Sequence, residues 1–301
     1  MRLVATLLLL LAGSAAHAQT SAQAGAQTST QAGAKTQQAE MQAAWKAASQ
    51  AATPGPATIP LVDQATLAIP KGMAFIPKAE AYSWSRSLGN TPGDDQIGIV
   101  TPLGDEEWIV SVRWVPDGYV RDDEARDMKA DDVLASLREG LVESNQDRVA
   151  RNFPELEITG WVQPPAYDEA MHQLQWALGV QRKGQPEAAS TNLNTRALGR
   201  NGYFSLNLVT SRDEMARYRP VATTLLAGLD YNDANRYQDF NASTDRIAEY
   251  GLLGLIGVVA AKKLGLLALA GVFVLKFAKV GLLALAGLGL TFRKLFRRNP
   301  S

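Results

Sequence analysis

Residues 171–210, MHQLQWALGVQRKGQPEAASTNLNTRALGRNGYFSLNLVT, carry the clearest local pattern in this chain of 301 residues. Apolar and polar residues alternate between residues 171 and 181, which is the period of a half-buried β-strand. One side of that strand would carry His172, Leu174, Trp176, Leu178 and Val180. A loop near residues 183–186 leads to a second strand over 191–198, and Asn201-Gly202 supplies the positive φ angles of a tight turn into a third. The pattern therefore predicts an antiparallel meander of three strands.

Weaker patterns on both sides of the meander predict one domain over residues 58–245, which is within the usual size of a domain. Alternation and β-branched or aromatic residues predict three more strands. They lie near Thr66–Ile69, Gly98–Thr101 and Trp108–Val115. The expected fold class is α+β, a mainly antiparallel sheet with helices on one face.

Two helices are predicted within this domain. Val133, Leu134, Leu137 and Leu141 recur at helical spacing after Asp131 or Asp132, either of which is a suitable N-cap. This helix is predicted to end near Arg151. The second is predicted from Asp213 to Leu229, with Pro220 kinking or restarting it.

The residues before the domain have the composition of a leader and a linker. Residues 1–18 resemble a secretory signal peptide, with Arg2, an apolar stretch and a small-residue site at Ala16-His17-Ala18. Residues 19–57 are rich in Gln, Ala, Ser, Thr and Gly, so we predict a disordered linker with at most a marginal helix near Ala39–Ala51.

The composition excludes several kinds of chemistry. The chain has no cysteine, and after loss of the signal peptide it has one histidine, His172, so disulfides, thiolate catalysis and histidine-based zinc sites are not expected. His172 begins the apolar face of a strand, and we interpret it as a packed structural residue. The acidic clusters lack the spacing of a calcium loop, and no glycine-rich phosphate-binding motif follows a strand. We expect no metal and no cofactor.

Charge is divided sharply along the chain. Residues 250–301 carry eight Lys or Arg and no acidic residue, whereas residues 19–249 carry 30 acidic and 21 basic residues. An acidic domain argues against a nucleic-acid partner, and a purely basic tail suits anionic lipid headgroups.

The C-terminal tail repeats one apolar phrase three times. The copies begin at Gly251, Gly265 and Gly281, and each runs on into basic residues. Because a span needs about 20 apolar residues, we predict an interfacial helical segment over 246–271, one transmembrane helix over 272–292 and a basic cytoplasmic tail over 293–301. The basic residues at the membrane interface would be Lys262, Lys263, Lys276, Lys279, Arg293, Lys294, Arg297 and Arg298. The alternative is a hairpin of two short spans, and the small residues also favour self-association.

Two stretches of the domain are candidates for recognition. The prolines of the first, residues 160–168, would hold Trp161, Tyr167 and Asp168 in a fixed relation. The second, residues 192–200, would place Asn192, Asn194 and Arg196 on one face of a strand. Amide and guanidinium groups near Asp168 would suit a carboxylate, a sugar or a peptide. The alternative is that Arg196 pairs with Asp168 or another acid and braces the sheet.

The same stretches, with others near the C-terminus, resemble the DUF2167 family of uncharacterised membrane-anchored bacterial proteins. The motifs are Gly160-Trp161 to Tyr167-Asp168, Leu174-x-Trp176-Ala177-Leu178, Asn194-Thr195-Arg196, Leu198-Gly199-Arg200, Tyr237-x-Asp239-Phe240 and Asp245-x-Ile247-Ala248-x-Tyr250-Gly251. The resemblance covers about residue 59 to the C-terminus. It implies a place in the cell envelope and a membrane anchor, and it supplies no catalytic residue.

These features together predict a bacterial inner-membrane protein with a single pass and its main domain in the periplasm. We expect a non-enzymatic protein that binds an envelope partner or oligomerises, with the lipid bilayer as its other partner. One alternative is a periplasmic enzyme or small-ligand receptor that uses Asp168, Asn194 and Arg196. Another is membrane remodelling by the cationic repeats.

Overall fold

The computed structural model describes residues 22–123 and 129–256. The strands in this part of the chain are β1 (Thr53–Pro54), β2 (Ala57–Leu61), β3 (Ala65–Ile69), β4 (Met73–Pro77), β5 (Gln96–Pro102), β6 (Trp108–Val115), β7 (Leu156–Asp168), β8 (Gln173–Arg182), β9 (Gln185–Leu198), β10 (Tyr203–Ser211) and β11 (Leu229–Tyr231). The helices are α1 (Ala22–Ala51), α2 (Lys78–Ser87), α3 (Ala130–Ala150), α4 (Met215–Ala227) and α5 (Leu252–Ile256), with a 3-10 turn at Tyr237–Asp239.

An antiparallel sheet of eight strands, in the order β1-β4-β5-β6-β10-β9-β8-β7, forms the centre of the domain, and β11-β3-β2 form a small second sheet. The predicted meander is confirmed as β8, β9 and β10, and the three further strands are confirmed as β3, β5 and β6. At the tight turn only Gly202 has a positive φ, and a Cβ there would lie 2.1 Å from the Val115 carbonyl oxygen. The turn therefore depends on this glycine.

One face of the large sheet, called face A, packs against α4 and the small sheet. Strand residues such as Val112, Phe204 and Leu206 are buried here against Leu67 and Leu225. α4 continues as one helix through Pro220. Burial of these apolar side chains is the main stabilising term for this half of the domain.

The opposite face, called face B, is also covered by helices. α1 and α2 pack on β4 and β5 at one end, and α3 and α5 pack at the β7 and β8 end. The prediction of helices on one face is therefore wrong, although the α+β class and the mainly antiparallel sheet are confirmed. The reason is visible in β8, which buries Trp176 and Leu178 on face B while burying Ala177 on face A.

Residues 22–51 form a helix, so the prediction of a disordered linker over 19–57 is wrong for this stretch. The C-terminal part of α1 packs on α2, where the Trp45 and Trp84 rings lie 4.8 Å apart and Ala48 is buried. β1 then pairs with β4. Alanine-rich sequence has a high helix propensity, and this tertiary contact supplies the burial that the composition did not indicate.

α3 follows the prediction closely but begins differently. Its N-cap is Lys129, whose side chain makes no capping hydrogen bond, and Asp131 and Asp132 lie in the first turn. Negatively charged carboxylates in the first turn interact favourably with the positive end of the helix dipole.

At the C-terminal side the domain continues to Ile256. Ile247 forms a β-bridge with Tyr119, and α5 buries Leu252, Leu255 and Ile256 against the face-B core. Residues 246–256 of the predicted interfacial segment thus pack on the domain, because their apolar side chains complete its core.

No helix in the described part of the chain is both long enough and apolar enough to cross a bilayer. The predicted signal peptide (1–18), the remainder of the interfacial segment (257–271), the span (272–292), the tail (293–301) and the eight basic interface residues lie outside the described residues.

Candidate functional site

A row of polar side chains crosses the middle of face B. β9 contributes Asn192, Asn194 and Arg196, and β10 contributes Ser205 and Asn207, with Asn194 directly opposite Asn207 and Arg196 directly opposite Ser205. We call these five residues the polar row. In the order of the sheet, β10 and β9 lie between the strands that carry α2 and the strand that carries α3.

The two flanking helices touch each other at their C-terminal ends. Arg148 donates to the Gly89 carbonyl oxygen at 3.1 Å, and Arg151 donates to the Arg86 carbonyl oxygen at 2.6 Å. The Phe153 ring lies beneath both guanidinium groups. The polar row thus lies on the sheet between two helices that are braced against each other.

Arg196 is the only cation of the polar row. Its Nη1 donates to Ser205 Oγ at 2.6 Å and to the Thr195 carbonyl oxygen at 3.2 Å, and its guanidinium carbon lies 4.8 Å from the Trp176 ring centroid. Burial lowers the pKa of Arg196 from its usual value. Among residues 22–123 and 129–256, Arg196 forms no ion pair, and the predicted pairing with Asp168 does not occur there.

Several polar atoms in and beside the row are buried without a hydrogen-bond partner in the described structure. Two are donors, Nε of Arg196 and Nε1 of Trp176, and two are acceptors, Oδ1 of Asn192 and Oδ1 of Asn207. Asn194 donates from Nδ2 to the Asn192 carbonyl oxygen at 3.2 Å. Since a buried polar group without a partner costs about 1–3 kcal/mol, this concentration of them on one surface is unfavourable for stability alone.

The charges around the row leave it electropositive. Arg113 of β6 stands opposite Ser205 and pairs with Asp95 at 3.6 Å, so its charge is already compensated. Tyr203 borders Arg196 on the other side, and burial raises the pKa of its hydroxyl. The Arg196 charge is therefore the uncompensated one.

The other three predicted site residues lie elsewhere. Trp161 donates from Nε1 to the Ala130 carbonyl oxygen at 3.2 Å and braces the start of α3. Asp168 accepts hydrogen bonds from two backbone N–H groups of the turn that follows it, and its register with β8 and β9 places it on face A with Ala197. Asn194 and Arg196 are thus brought together, and Asp168 is on the opposite side of the sheet.

Tyr167 belongs to a separate cluster on face B. Its hydroxyl donates to Asp122 Oδ2 at 2.7 Å and lies 3.3 Å from His172 Nδ1. Burial, followed by the hydrogen bond to Asp122, raises the pKa of Tyr167 well above its usual value. The His172 ring stacks against Tyr237, with ring centroids 4.1 Å apart.

The stacking on Tyr237 agrees with the interpretation of His172 as a structural residue, but His172 is only half-buried and also has polar neighbours. Its side chain is 29% exposed, its Nδ1 lies 3.5 Å from Asp122, and its φ of +50° is unusual for a residue with a side chain. The sequence reasoning missed Asp122 and Tyr237 as its neighbours. The one available signal was that Tyr237 lies in a motif that carries the family resemblance.

An apolar groove of about 750 Å³ lies between α3 and the start of β7. Val142 and Val149 on its rim are 61% and 55% exposed. None of the five predicted site residues lines it.

The comparison with protein families shows which family the chain belongs to. The model of DUF2167, described as a protein of unknown function, matches residues 53–286. The chain belongs to the DUF2167 family. In this DUF2167 protein six of the motif residues fall into three groups: Asn194 and Arg196 in the polar row, Tyr167 and Tyr237 in the His172 cluster, and Arg200 with Asp245.

The Arg200–Asp245 pair is a structural brace. Its two hydrogen bonds measure 2.6 and 2.8 Å and join the turn before β10 to the segment that leads to α5. The Arg200 guanidinium and the Asn241 backbone N–H hold the pKa of Asp245 well below its usual value.

Similar solved structures include the solution structure of cyanobacterial PsbP (CyanoP) from Synechocystis sp. PCC 6803, at 11% identity and a TM-score of 0.34. The match covers 56% of this chain and 88% of that one. Another is the crystal structure of the protein of unknown function PA94 from Pseudomonas aeruginosa, at 12% identity and a TM-score of 0.23, covering 56% and 90% of the two chains. No curated protein matches significantly.

Proposed function

We propose that this DUF2167 protein is a membrane-anchored envelope protein that acts by binding, and that the polar row is its recognition surface. In this proposal the domain lies in the periplasm, residues 272–292 cross the inner membrane, and residues 293–301 are cytoplasmic. The proposal is supported by the signal-peptide pattern, the three apolar repeats and the contrast between an acidic domain and a basic tail.

The observation that carries the recognition role is the uncompensated charge of Arg196. Arg196 is partly buried and its Nε is fully buried, and a charge removed from water without an ion-pair partner is unfavourable for stability. A ligand that supplies the missing negative charge would turn this cost into binding free energy. Two orphaned acceptors and one further orphaned donor lie on the same face of β8, β9 and β10 as Arg196, as expected for a surface that is completed by a partner.

The composition of the row favours binding over catalysis. Its side chains are amides, a hydroxyl and a guanidinium, and a guanidinium or amide neither gives up nor takes up a proton near neutral pH. The carboxylate of Asp122 and the imidazole of His172 contact Tyr167 and not the polar row. The row can therefore hold and orient a partner, but it lacks a general base.

A photo-reactive amino acid placed in the full chain in living cells tests this proposal. Ser111, on β6 opposite Asn207, is the test position, and Val162, 48% exposed on β7, is the matched control. We expect a covalent adduct with another envelope protein or with a second copy of this chain from Ser111 but not from Val162. Arg196→Gln should reduce the adduct.

Equal labelling from both positions, or none from Ser111, would contradict the proposed recognition surface. The membrane topology is tested separately by alkaline phosphatase fused after Ser301. An inactive fusion is expected for a cytoplasmic C-terminus, and an active one would favour the two-span hairpin.

A further inference from the structure

We propose that the polar row binds a peptide segment through a free carboxylate and the amide groups next to it. This inference rests on the proposed recognition surface and names the chemistry of its ligand. The inference is supported by the hydrogen-bonding groups that the row presents and by their spacing along β9 and β10.

The unpartnered N–H groups beside the row suit a carboxylate. Arg196 Nε–H and Trp176 Nε1–H are both buried donors without a partner in the described structure, and the guanidinium lies 4.8 Å from the Trp176 ring centroid. One charged and one neutral N–H on the same face of the sheet suit the two oxygens of a carboxylate. An uncharged ligand would leave the Arg196 charge uncompensated, so the site selects an anionic group.

The asparagine side chains of the row suit the peptide units next to that carboxylate. Asn192 and Asn207 each keep a buried side-chain oxygen without a partner, and they flank Asn194 on the same face. Residues i and i+2 of a strand lie about 6.8 Å apart, which is also the repeat of N–H groups along one side of an extended peptide. Each asparagine amide offers a donor and an acceptor, as each peptide unit does, so the row complements peptide units next to the carboxylate.

The number of cations near the row favours a carboxylate over more highly charged anions. A phosphate group is usually held by several cations or a helix N-terminus. Here Arg113 is paired with Asp95, which leaves Arg196 as the single free cation among the described residues of the row. One positive charge matches one carboxylate, and the net acidic character of residues 19–249 disfavours polyanions.

The binding test uses the full chain in detergent and the indole N–H signal of Trp176 in ¹H–¹⁵N NMR spectra. The probe is the tripeptide Ala-Ala-Ala with a free carboxylate, and its C-terminal amide is the matched control. We expect the free acid to shift the signal with a Kd of about 1 mM or lower, and the amide to bind at least about tenfold more weakly. N-acetyl-Ala-Glu-Ala amide tests whether a side-chain carboxylate serves as well as a C-terminal one.

Variants link the binding to the row. Arg196→Gln should weaken binding of the free acid about tenfold, whereas Arg113→Gln should change it less than about threefold. Asn207→Leu removes one amide and should weaken the tripeptide more than acetate. If circular dichroism shows that Arg196→Gln does not fold, Asn207→Leu still tests the proposal.

Equal binding of acid and amide, or no binding below 10 mM, would overturn the inference. Acetate or inorganic phosphate binding as tightly as the tripeptide would also overturn it, because the row would then be a general anion site. If photo-labelling from Ser111 succeeds while every peptide fails, the recognition surface stands and only its peptide ligand is wrong.

Discussion

Replacing Arg196 with methionine should stabilise the domain while abolishing binding. The substitution removes hydrogen bonds to Ser205 Oγ and to the Thr195 carbonyl oxygen, and a contact with the Trp176 ring. A hydrogen bond from a charged group contributes about 1.5–3 kcal/mol and a buried cation–π contact about 1–2 kcal/mol. Against these stands the partial burial of a charge that has no ion-pair partner in the described part of the chain, which costs up to several kcal/mol.

Methionine keeps most of the volume and restores part of the lost contact. A thioether near an aromatic ring contributes about 0.3–1.5 kcal/mol, and it needs no counter-ion. We therefore expect Arg196→Met to raise the free energy of unfolding by about 1 kcal/mol, which is ~2–4 °C in Tm for a domain of this size.

The measurement is urea unfolding of the full chain at pH 7, followed by tryptophan fluorescence and circular dichroism. Coincident transitions would justify a two-state comparison of midpoints. Arg200→Met is the matched control, because Arg200 pairs with Asp245 through two hydrogen bonds and its loss should lower the free energy of unfolding. If both variants destabilise the domain alike, the Arg196 charge is compensated in the free protein and the case for recognition fails.

Two further predictions concern the ends of the domain. Hydrogen bonds hold the pKa of Asp245 well below 3.8, so its stabilising contribution is present above about pH 4 and is lost as the pH falls further. Asp245→Asn should therefore flatten the acid limb of a Tm-against-pH profile. An unchanged acid limb would contradict this prediction. Trp45→Ala removes the ring that lies 4.8 Å from Trp84, so limited proteolysis should cut within α1 much faster while the sheet stays protected. Equal cleavage rates in the wild type and the variant would mean that α1 is held by other contacts.

The meander was predictable because its signals are local. The alternation of apolar and polar residues over β8 and the glycine at position 202 are both visible in neighbouring residues. The strand and the positive φ that they predict are both present in the structure. α1 was missed because its stability depends on Trp84, which lies 39 residues beyond Trp45 in the sequence and is brought near by the fold. Composition alone cannot show such a contact.

The candidate site was half predictable for a similar reason. Asn194 and Arg196 are two residues apart on a regular strand, so their common face follows from the period of a strand. The grouping of Asp168 with them is wrong, because residues 160–168 belong to β7, whose register places Asp168 on face A. Asp122 and His172 meet across 50 residues of chain, and no local pattern reports that meeting.

The docking of α5 limits how far the domain can work from the membrane. On the proposed topology the span begins at residue 272, and Ile256 is the last described residue that packs on the domain, so at most 15 residues (257–271) separate the two. Fully extended, they reach at most ~50 Å, compared with ~90 Å if all of residues 246–271 were free. The docked α5 therefore holds the domain nearer to the bilayer than a free segment over residues 246–271 would.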